Sequence, residues 1–418
     1  MPVTLPGVRL TDHWLDVPLD HADPDGERIT VYAREVRAPD DDSGRPWLLF
    51  LQGGPGGESP RPHGADAWLA PALREFRVLL LDQRGTGRST PVTARGLATR
   101  GDAMAQADYL GHFRADAIVR DAELLRGQLG APAWSTLGQS FGGFCTLTYL
   151  SLAPEGLREC LVTGGLPGLS AGAEEVYRRT YPRVVAKNAG YYARYPDDEA
   201  AVRRIADQLA ASDTRMPTGE RLTVERFQSL GMAFGMVGGY ETVHYLVEKA
   251  WDGPELSPAF RHGVAEHTTF ATGPLYAVLH EACYAQGGPT DWAAQRLRGP
   301  EFDASAGGRV LFTGEMTYPW MLEQEEAMRP YAAAADLLAQ RTDWPALYDV
   351  DRLAANTVPV AAAVYHDDMY VDAELSLATA AAVPGIRAWV TNEVEHNGLR
   401  LSAERVFGRL LDMRRDRA

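Results

Sequence analysis

A serine flanked by glycines is the first residue with the surroundings that nucleophilic chemistry needs. Ser140 is the centre of the run 138–142, Gly-Gln-Ser-Phe-Gly, which follows a predicted strand at 134–138 and precedes an apolar helical run at 144–152. A sharp turn from strand to helix exposes the central side chain, and a side chain at either glycine would clash with the adjacent strand. Ser140 is therefore the candidate nucleophile. A glycine-rich turn without chemistry is the alternative.

A glycine-rich loop is the second chemical feature. The run 51–57, Leu-Gln-Gly-Gly-Pro-Gly-Gly, follows a predicted strand at 47–52. Such a loop can turn backbone N–H groups toward the carbonyl oxygen of a bound acyl group, and we expect Gly54 and Phe141 to supply the two donors. Losing one donor of this kind typically costs about 3 to 4 kcal/mol of transition-state stabilisation. The alternative is a plain turn.

A serine nucleophile also needs a base and an acid. Enzymes with this serine turn supply them in the chain order serine, acid, histidine. Asp367 and Asp368 follow a predicted strand at 358–365, and His396 lies 28 residues after Asp368, just beyond a predicted strand at 387–392. Ligands of open α/β sheets bind where such strands end. His396 is the candidate base and either aspartate the candidate acid, whereas a surface histidine and a solvated turn are the alternatives.

The elements that must position these residues are strands alternating with helices. Short apolar runs rich in β-branched residues are bounded by Gly, Pro or Asp, and several are apolar enough to be buried on both faces. Between two of them, the run 117–129 places apolar residues at spacings of 4, 3 and 4, as in a helix packed on a sheet. This alternation predicts an α/β fold with a mostly parallel sheet flanked by helices. The predicted strands are 28–36, 47–52, 77–82, 134–138, 159–163, 358–365 and 387–392.

A long helical segment interrupts the alternation. From about 169 to 340 the sequence is rich in Ala and Arg with helical periodicity, and strand signals are sparse until about 358. This segment is far too long for a loop inside a compact domain. We therefore predict a core split into residues 1–168 and 341–418 around a helical cap at 169–340.

Composition excludes several classes of function. The 418 residues include 41 basic and 56 acidic side chains, a net charge of −15, without a basic block, so nucleic acid is not an expected partner. No stretch approaches the ~18 apolar residues that span a bilayer, so no membrane partner is expected, and three cysteines cannot form a complete disulfide framework. We expect a cytoplasmic protein. Since the sequence has neither a phosphate-binding glycine loop nor a His-Glu-x-x-His pair, no cofactor and no metal are predicted.

Three glycine-containing motifs, in this order, resemble the proline iminopeptidases (prolyl aminopeptidases) of the α/β-hydrolase fold. The resemblance covers most of the chain, and the motifs together are far more specific than any one of them. The three motifs are Gly-Gly-Pro-Gly at 53–56, Asp-Gln-Arg-Gly-Thr-Gly-Arg-Ser at 82–89 and Gly-Gln-Ser-Phe-Gly-Gly at 138–143, and the resemblance extends to Tyr-His-Asp-Asp-Met-Tyr-Val at 365–371 and Glu-His at 395–396.

The resemblance implies a fold and an activity. The fold would be that of the α/β hydrolases, with the cap inserted between the sixth and seventh strands of that fold's canonical numbering, and the activity that of a serine aminopeptidase releasing N-terminal proline from peptides. It favours Asp368 over Asp367, because the family's acid is commonly followed by a few residues and then a helix start, which 369–373 would provide. Gln52 departs from the family, which usually has His there. We expect this change to alter loop packing rather than to remove activity.

An aminopeptidase must also recognise the cationic N-terminal amine of its substrate. A carboxylate in a partly desolvated pocket does so effectively. Glu281 and Glu315 in the predicted cap each lie beside aromatic residues that could contact a proline ring. Lid glutamates perform this task in the resembling family, so both are candidate substrate-binding residues, and solvated side chains are the alternative.

Other activities fit the same candidate residues. An esterase, lactonase or thioesterase would use the same serine, acid and histidine, since fold and triad do not determine the substrate. A noncatalytic binding protein on this scaffold is the third hypothesis. The sequence does not predict the oligomeric state.

Overall fold

One mixed β-sheet runs through the centre of the structure, a computed structural model that describes residues 2–41 and 44–415. In chain order the strands are β1 (Val3–Leu5), β2 (Val8–Pro18), β3 (Arg28–Arg37), β4 (Trp47–Leu51), β5 (Arg77–Asp82), β6 (Trp134–Gln139), β7 (Leu157–Thr163), β8 (Trp251–Asp252), β9 (Glu255–Leu256), β10 (Val360–Tyr365) and β11 (Ile386–Thr391). The sheet order is β1-β2-β3-β5-β4-β6-β7-β10-β11, and β8 and β9 form a separate hairpin.

The part of the sheet that carries the candidate residues is parallel. β4 pairs in parallel with β5 and β6, and parallel pairing continues through β7 and β10 to β11. At the other edge β1, β2 and β3 pair antiparallel, and β3 is antiparallel to β5. The predicted α/β fold with a mostly parallel sheet is confirmed. The carboxyl ends of β4, β6, β10 and β11 therefore lie at one edge of the sheet.

Helices pack on both faces of this sheet. In chain order the α-helices of the described residues, including those of the segment between β7 and β10, are α1 (Leu69–Ala72), α2 (Ala94–Ala98), α3 (Ala103–Gly111), α4 (Ala115–Gln128), α5 (Phe141–Leu152), α6 (Ala173–Arg194), α7 (Asp198–Ala211), α8 (Val224–Gln228), α9 (Gly239–Glu248), α10 (Pro258–Thr268), α11 (Pro274–Leu279), α12 (Ala293–Leu297), α13 (Pro319–Gln324), α14 (Ala332–Gln340), α15 (Val350–Ala354), α16 (Ala373–Ala382), α17 (Gly398–Leu401) and α18 (Ala403–Arg414).

Alternate residues of one strand contribute to two apolar cores. β4 is buried along its whole length. Leu48 and Phe50 pack in the core that includes α1 and α18, while Leu49 and Leu51 pack in the core that includes α4 and α5. Burial on both faces explains why such strands appear in the sequence as continuous apolar runs.

The predicted strands lie within two residues of observed ones at each end. The sequence does not predict β1 and β2. β2 lies toward the edge of the sheet and alternates buried with partly exposed positions, so it carries several charged and polar side chains. Without a continuous apolar run, its pattern is hard to distinguish from that of a loop.

The segment between β7 and β10 is mainly helical. It contains α6 to α14, the β8–β9 hairpin and α15. The division of the chain into a core and a cap at residues 168 and 341 stays a prediction. In the part of the chain that the structure describes, no helix is both long and apolar enough to cross a membrane.

Helix α5 crosses the sheet at a distance that only glycine permits. A Cβ atom on Gly142 would overlap the carbonyl group of Leu51 at the end of β4. A Cβ atom on Gly143 would overlap the carbonyl group of Gly165, which follows β7. The first turn of α5 is therefore packed directly on the backbone at the carboxyl edge of the sheet.

We predict that Gly142→Ala lowers the free energy of unfolding by about 2 to 3 kcal/mol, because the new methyl group must displace the backbone of β4. Gly127→Ala is the matched control. Gly127 lies exposed in α4, where an added Cβ meets nothing within 4 Å, so this change should stabilise the protein by up to about 1 kcal/mol. Urea unfolding followed by circular dichroism measures both, and shifts of the same sign would contradict the packing argument.

Candidate active site

Ser140 lies at a strained turn between β6 and α5. Its backbone has φ 53° and ψ −124°, a conformation that residues other than glycine rarely adopt. Hydrogen bonds on both sides hold it. The Ser140 N–H donates to the Thr163 carbonyl (3.0 Å), and the Gly143 N–H donates to the Ser140 carbonyl (2.7 Å). This turn presents the serine at the carboxyl edge of the sheet, before the first turn of a helix.

The glycine-rich loop after β4 lies against the serine. A Cβ atom on Gly53 would lie 3.1 Å from the Cβ of Ser140. Gly54 has φ 131°, a conformation that favours glycine. Within the described part of the chain, neither Gly54 nor Phe141 donates its backbone N–H to another protein group. Both N–H groups are therefore available to an oxygen of a ligand.

The acid and base candidates meet beyond the ends of β10 and β11. His396 Nδ1 lies 2.7 Å from Asp368 Oδ2, and both side chains are almost fully buried. The other oxygen, Asp368 Oδ1, accepts hydrogen bonds from the backbone N–H groups of Tyr370 (2.8 Å) and Val371 (3.1 Å). Asp367 is instead half-exposed. The sequence pattern allowed either aspartate to be the acid, and the structure brings Asp368 to the histidine.

The pKa of His396 is raised above its ordinary value. Burial alone would lower this pKa, because a buried imidazolium loses hydration, but the carboxylates of Asp368 and Glu315 outweigh burial. When Nδ1 carries the proton shared with Asp368, Nε2 is the nitrogen that can accept another. The arrangement thus provides a base whose ring is oriented by an acid.

Ser140 and His396 line the same cavity, which has a volume of about 360 Å³. Gly54 and Glu315 line it as well. The remaining wall combines bulky apolar side chains from the segment between β7 and β10 with polar ones, His267 and Arg400 among them. The bulky apolar members are Met232, Met236, Phe270, Tyr276, Met316 and Met321. Predicted residues from four separate parts of the chain are therefore brought to one cavity.

Glu315 is a half-buried carboxylate in this cavity. It accepts a hydrogen bond from the hydroxyl of Tyr276. Burial raises the pKa of Glu315 to about 7, against the opposing effects of His396 and Tyr276. A carboxylate that is costly to ionise in this setting gains from a cationic partner, which would favour its charged form.

Glu281 lies elsewhere. Its two oxygens accept hydrogen bonds from the backbone N–H groups of Ala293 (3.1 Å) and Ala294 (2.9 Å), at the start of α12. Burial raises its pKa even so. Among the described residues that line the cavity, Glu281 is not included. The structure therefore places this carboxylate at a helix end, where free N–H groups need an acceptor, and does not bring it to the site.

The sequence does not predict the apolar wall or the hydroxyl of Tyr276. These residues belong to no motif, and their spacing is that of ordinary apolar positions in a helical segment. Gln52, the position that departs from the resembling family, also lines the cavity. Its side-chain oxygen is buried without a hydrogen-bond partner among the described residues.

The carboxylates of the site are engaged by protein donors. Asp368 is bonded to His396, and Glu315 to Tyr276. Of the residues that the structure describes, no three His, Cys, Asp or Glu side chains are grouped so that they could hold a metal ion.

The fold and the site together define a class of protein. A mostly parallel sheet, with a serine at the strand-to-helix turn and an acid and a histidine following in chain order, is the arrangement of the α/β hydrolases. A family profile described as alpha/beta hydrolase fold matches residues 46–207. The protein is therefore an α/β hydrolase.

Whole-chain comparisons identify the family within that class. The chain is 50% identical to a proline iminopeptidase of Aeromonas sobria, over 99% of this chain and 98% of that protein. It is 36% identical to the proline iminopeptidase aneH of Aspergillus aculeatus, over 99% and 95% of the two chains. The chain belongs to the proline iminopeptidase family. A solved structure of a proline iminopeptidase from Mycobacterium smegmatis aligns with 96% of this chain and 98% of that one, at 14% identity and a TM-score of 0.46.

We predict that Asp368→Asn lowers the pKa of His396, because burial then acts against a weaker opposing charge. A pH titration of the histidine Cε1–H resonance by NMR measures this pKa, with the resonance assigned by its loss in His396→Gln. Asp367→Asn is the matched control and should leave the titration nearly unchanged, because that carboxylate is half-exposed. A larger shift of the His396 pKa in Asp367→Asn than in Asp368→Asn would show that Asp367, not Asp368, is the acid that acts on the histidine.

Proposed function

We propose that this protein is a serine aminopeptidase that hydrolyses the peptide bond after an N-terminal proline. One observation carries the proposal: Ser140, His396 and Glu315 line the same cavity. A nucleophile with its base and a carboxylate suited to an amine are what an aminopeptidase requires. Family membership supports it, since the relatives that align over the whole chain are named proline iminopeptidases.

In the proposed reaction, Ser140 Oγ attacks the carbonyl carbon of the N-terminal residue while His396 takes the hydroxyl proton. The N–H groups of Gly54 and Phe141 donate hydrogen bonds to the oxyanion of the tetrahedral intermediate. His396 then returns the proton to the nitrogen of the shortened peptide, which leaves, and a prolyl ester remains on Ser140. Water attacks this ester with His396 as base, and proline is released.

Asp368 has two roles in this scheme. Its bond to Nδ1 keeps the imidazole in the tautomer whose Nε2 can accept the serine proton. Its negative charge also stabilises the imidazolium that forms during each half of the reaction. The two backbone N–H groups that bind the other oxygen hold the carboxylate in place.

Glu315 would bind the secondary ammonium group of the N-terminal proline. A charge-assisted hydrogen bond in a partly desolvated cavity is stronger than one in water. The apolar wall of methionines with Phe270 suits the pyrrolidine ring, since methionine side chains adapt to the shape of a ligand. Burial of the pyrrolidine ring against this wall would thus favour proline, while Glu315 would select for the positive charge of its ammonium group.

We further infer a reducing compartment such as the cytoplasm. The three cysteines, Cys145, Cys160 and Cys283, all lie within the described residues, where each is buried and unpaired. Burial raises the pKa of the thiols, Cys160 to about 12 among them, so they are small apolar residues rather than reactive groups. A fluorescent fusion observed in the source cell tests the location.

A fluorophosphonate probe should label the protein, and Ser140→Ala should abolish this labelling and lower kcat for a proline arylamide by at least about 10⁴-fold, because the nucleophile is lost. Ser229→Ala is the matched control. Ser229 lines the same cavity, but its hydroxyl donates to the Arg226 carbonyl (2.7 Å). Labelling and turnover should survive this change.

Comparison of substrates separates the alternatives. The proposal requires that the protein turns over a proline arylamide, whatever its rate with a short neutral aryl ester, because aryl esters are intrinsically more reactive than amides. Strong ester turnover with little arylamide turnover would reject the peptidase activity in favour of an esterase, lactonase or thioesterase. A folded protein that the probe does not label would be a noncatalytic binder.

Glu315→Gln should raise KM for proline arylamide by about 10- to 100-fold while leaving the acylation rate with a neutral ester nearly unchanged, because only the amine substrate uses the charge. The ratio of amine to ester turnover should rise with pH through about 7 in the native protein, as Glu315 ionises. Taking the ratio cancels the titration of His396, and the rise should be lost in the variant.

Glu281→Gln is the matched control for this change. Because Glu281 binds the N–H groups at the start of α12, its replacement should lower thermal stability and leave KM within about twofold of the native value. An equal rise of KM in both variants, or equal losses on amine and ester substrates in Glu315→Gln, would contradict the role of Glu315.

A further inference from the structure

One face of α6 carries three basic residues. They follow one another at four-residue spacing, which places them on the same side of the helix. All three reach acidic side chains in the segments that follow β10 and β11, which also carry Asp368 and His396. The pairs are Arg179 with Glu374 (2.9 Å), Arg183 with Asp367 (3.6 Å) and Lys187 with Glu395 (2.6 Å).

Lys187 differs from the two arginines in its burial. Its side chain is 10% exposed, compared with 34% for Arg179 and 30% for Arg183. An ion pair in contact with water contributes little, because both charges are already hydrated. A buried ammonium group, in contrast, is costly unless a counter-ion is held beside it. Glu395 is that counter-ion, and it directly precedes His396 in the chain.

The loop 395–397 is held from the side of the segment between β7 and β10 at three consecutive residues. Asp368 thus holds the ring of His396, while the segment between β7 and β10 holds the backbone of His396 and the side chains of the residues on either side of it. The three contacts are Lys187 Nζ to Glu395 Oε1 (2.6 Å), the His396 N–H to the Gly235 carbonyl (3.2 Å) and the Val237 N–H to Asn397 Oδ1 (3.0 Å).

Among these contacts, the one between Lys187 and Glu395 joins two side chains and two full charges. The other two use the backbone of residues 235–237. Removing Lys187 would leave a partly buried carboxylate without its partner next to the base, and the loop would have to move to hydrate it. A displacement of about 1 Å in a reacting group can reduce a rate by about 10²-fold.

We propose that Lys187 is a positioning residue for His396: by binding Glu395 it holds the loop 395–397 so that the imidazole stays aligned with Asp368 and within reach of Ser140. The inference rests on the proposed function, in that His396 acts as the base for Ser140. It adds that a residue outside the cavity, on the first helix after β7, controls the rate of proton transfer without touching the substrate.

Lys187→Met tests the proposal in the full-length protein. We expect kcat for proline arylamide to fall by about 10- to 100-fold with KM within about threefold of the native value, because the base is displaced but the cavity wall is intact. The rate of fluorophosphonate labelling of Ser140 should fall by the same factor. Lys187→Arg should restore most of both rates, since it keeps the charge beside Glu395.

Arg194→Met is the matched control. Arg194 lies on the same helix and pairs with Glu241 (2.8 Å), whose side chain is 30% exposed, as is that of Glu395. This pair does not involve the loop 395–397, so kcat and labelling should stay near the native values. A fall in the control equal to that in Lys187→Met would assign the effect to general loss of helix stability and overturn the proposal.

Glu395→Gln covers the case in which Lys187→Met does not fold. It should lower kcat at nearly constant KM, and combining it with Lys187→Met should cost little more than the larger single effect, because both remove the same contact. Native kcat in Glu395→Gln, or additive losses in the double variant, would overturn the proposal. Labelling by the fluorophosphonate requires no peptide substrate. A native protein that is labelled but does not release proline would contradict the proposed function, and the labelling rates of the variants would still test the positioning role of Lys187.

Discussion

The site depends on how closely one helix crosses the sheet. At the start of α5, the backbone at Gly142 lies against the carbonyl group at the end of β4, a separation that no side chain would permit. This contact places the serine turn beside the glycine-rich loop, so that Ser140 and Gly54 line one cavity. The strained backbone of Ser140 is therefore held by the packing of the whole sheet rather than by its neighbours in sequence alone.

The segment between β7 and β10 completes the site that the sheet begins. The sheet positions the serine, Asp368 and His396, whereas the segment adds Glu315, Tyr276 and the apolar wall. Contacts from the same segment also hold the loop around His396. When this segment packs on the sheet edge, it therefore completes the cavity and at the same time holds His396 in position. In the proposed function, substrate binding and proton transfer would depend on one interface.

The charged side chains at this cavity bear on the proposed choice of substrate. Asp368 and Glu315 both raise the pKa of His396, while burial raises that of Glu315 to about 7. Arg400, which also lines the cavity, acts on His396 in the opposite direction, so it is Glu315, costly to ionise where it is buried, that would gain from a cationic ligand. An ammonium group would offset this charge, whereas a neutral ester would not. In the proposed function, Glu315 would thus contribute both to the pKa of the base and to the choice of substrate.

The amino-acid sequence was enough to predict the local features: the glycine-flanked serine after a strand, the glycine-rich loop, the strands of the parallel sheet, and the acid and histidine following in order. These depend on residues close together in the chain, whose periodicity and turn chemistry are visible without coordinates. The resemblance favoured Asp368, but tertiary structure was needed to show that Asp368 rather than Asp367 meets His396, that Glu315 rather than Glu281 lines the cavity, and which residues form its wall. Each of these choices depends on which way a side chain points and which distant loop it meets, and neither spacing nor composition contains a distance between residues far apart in the chain.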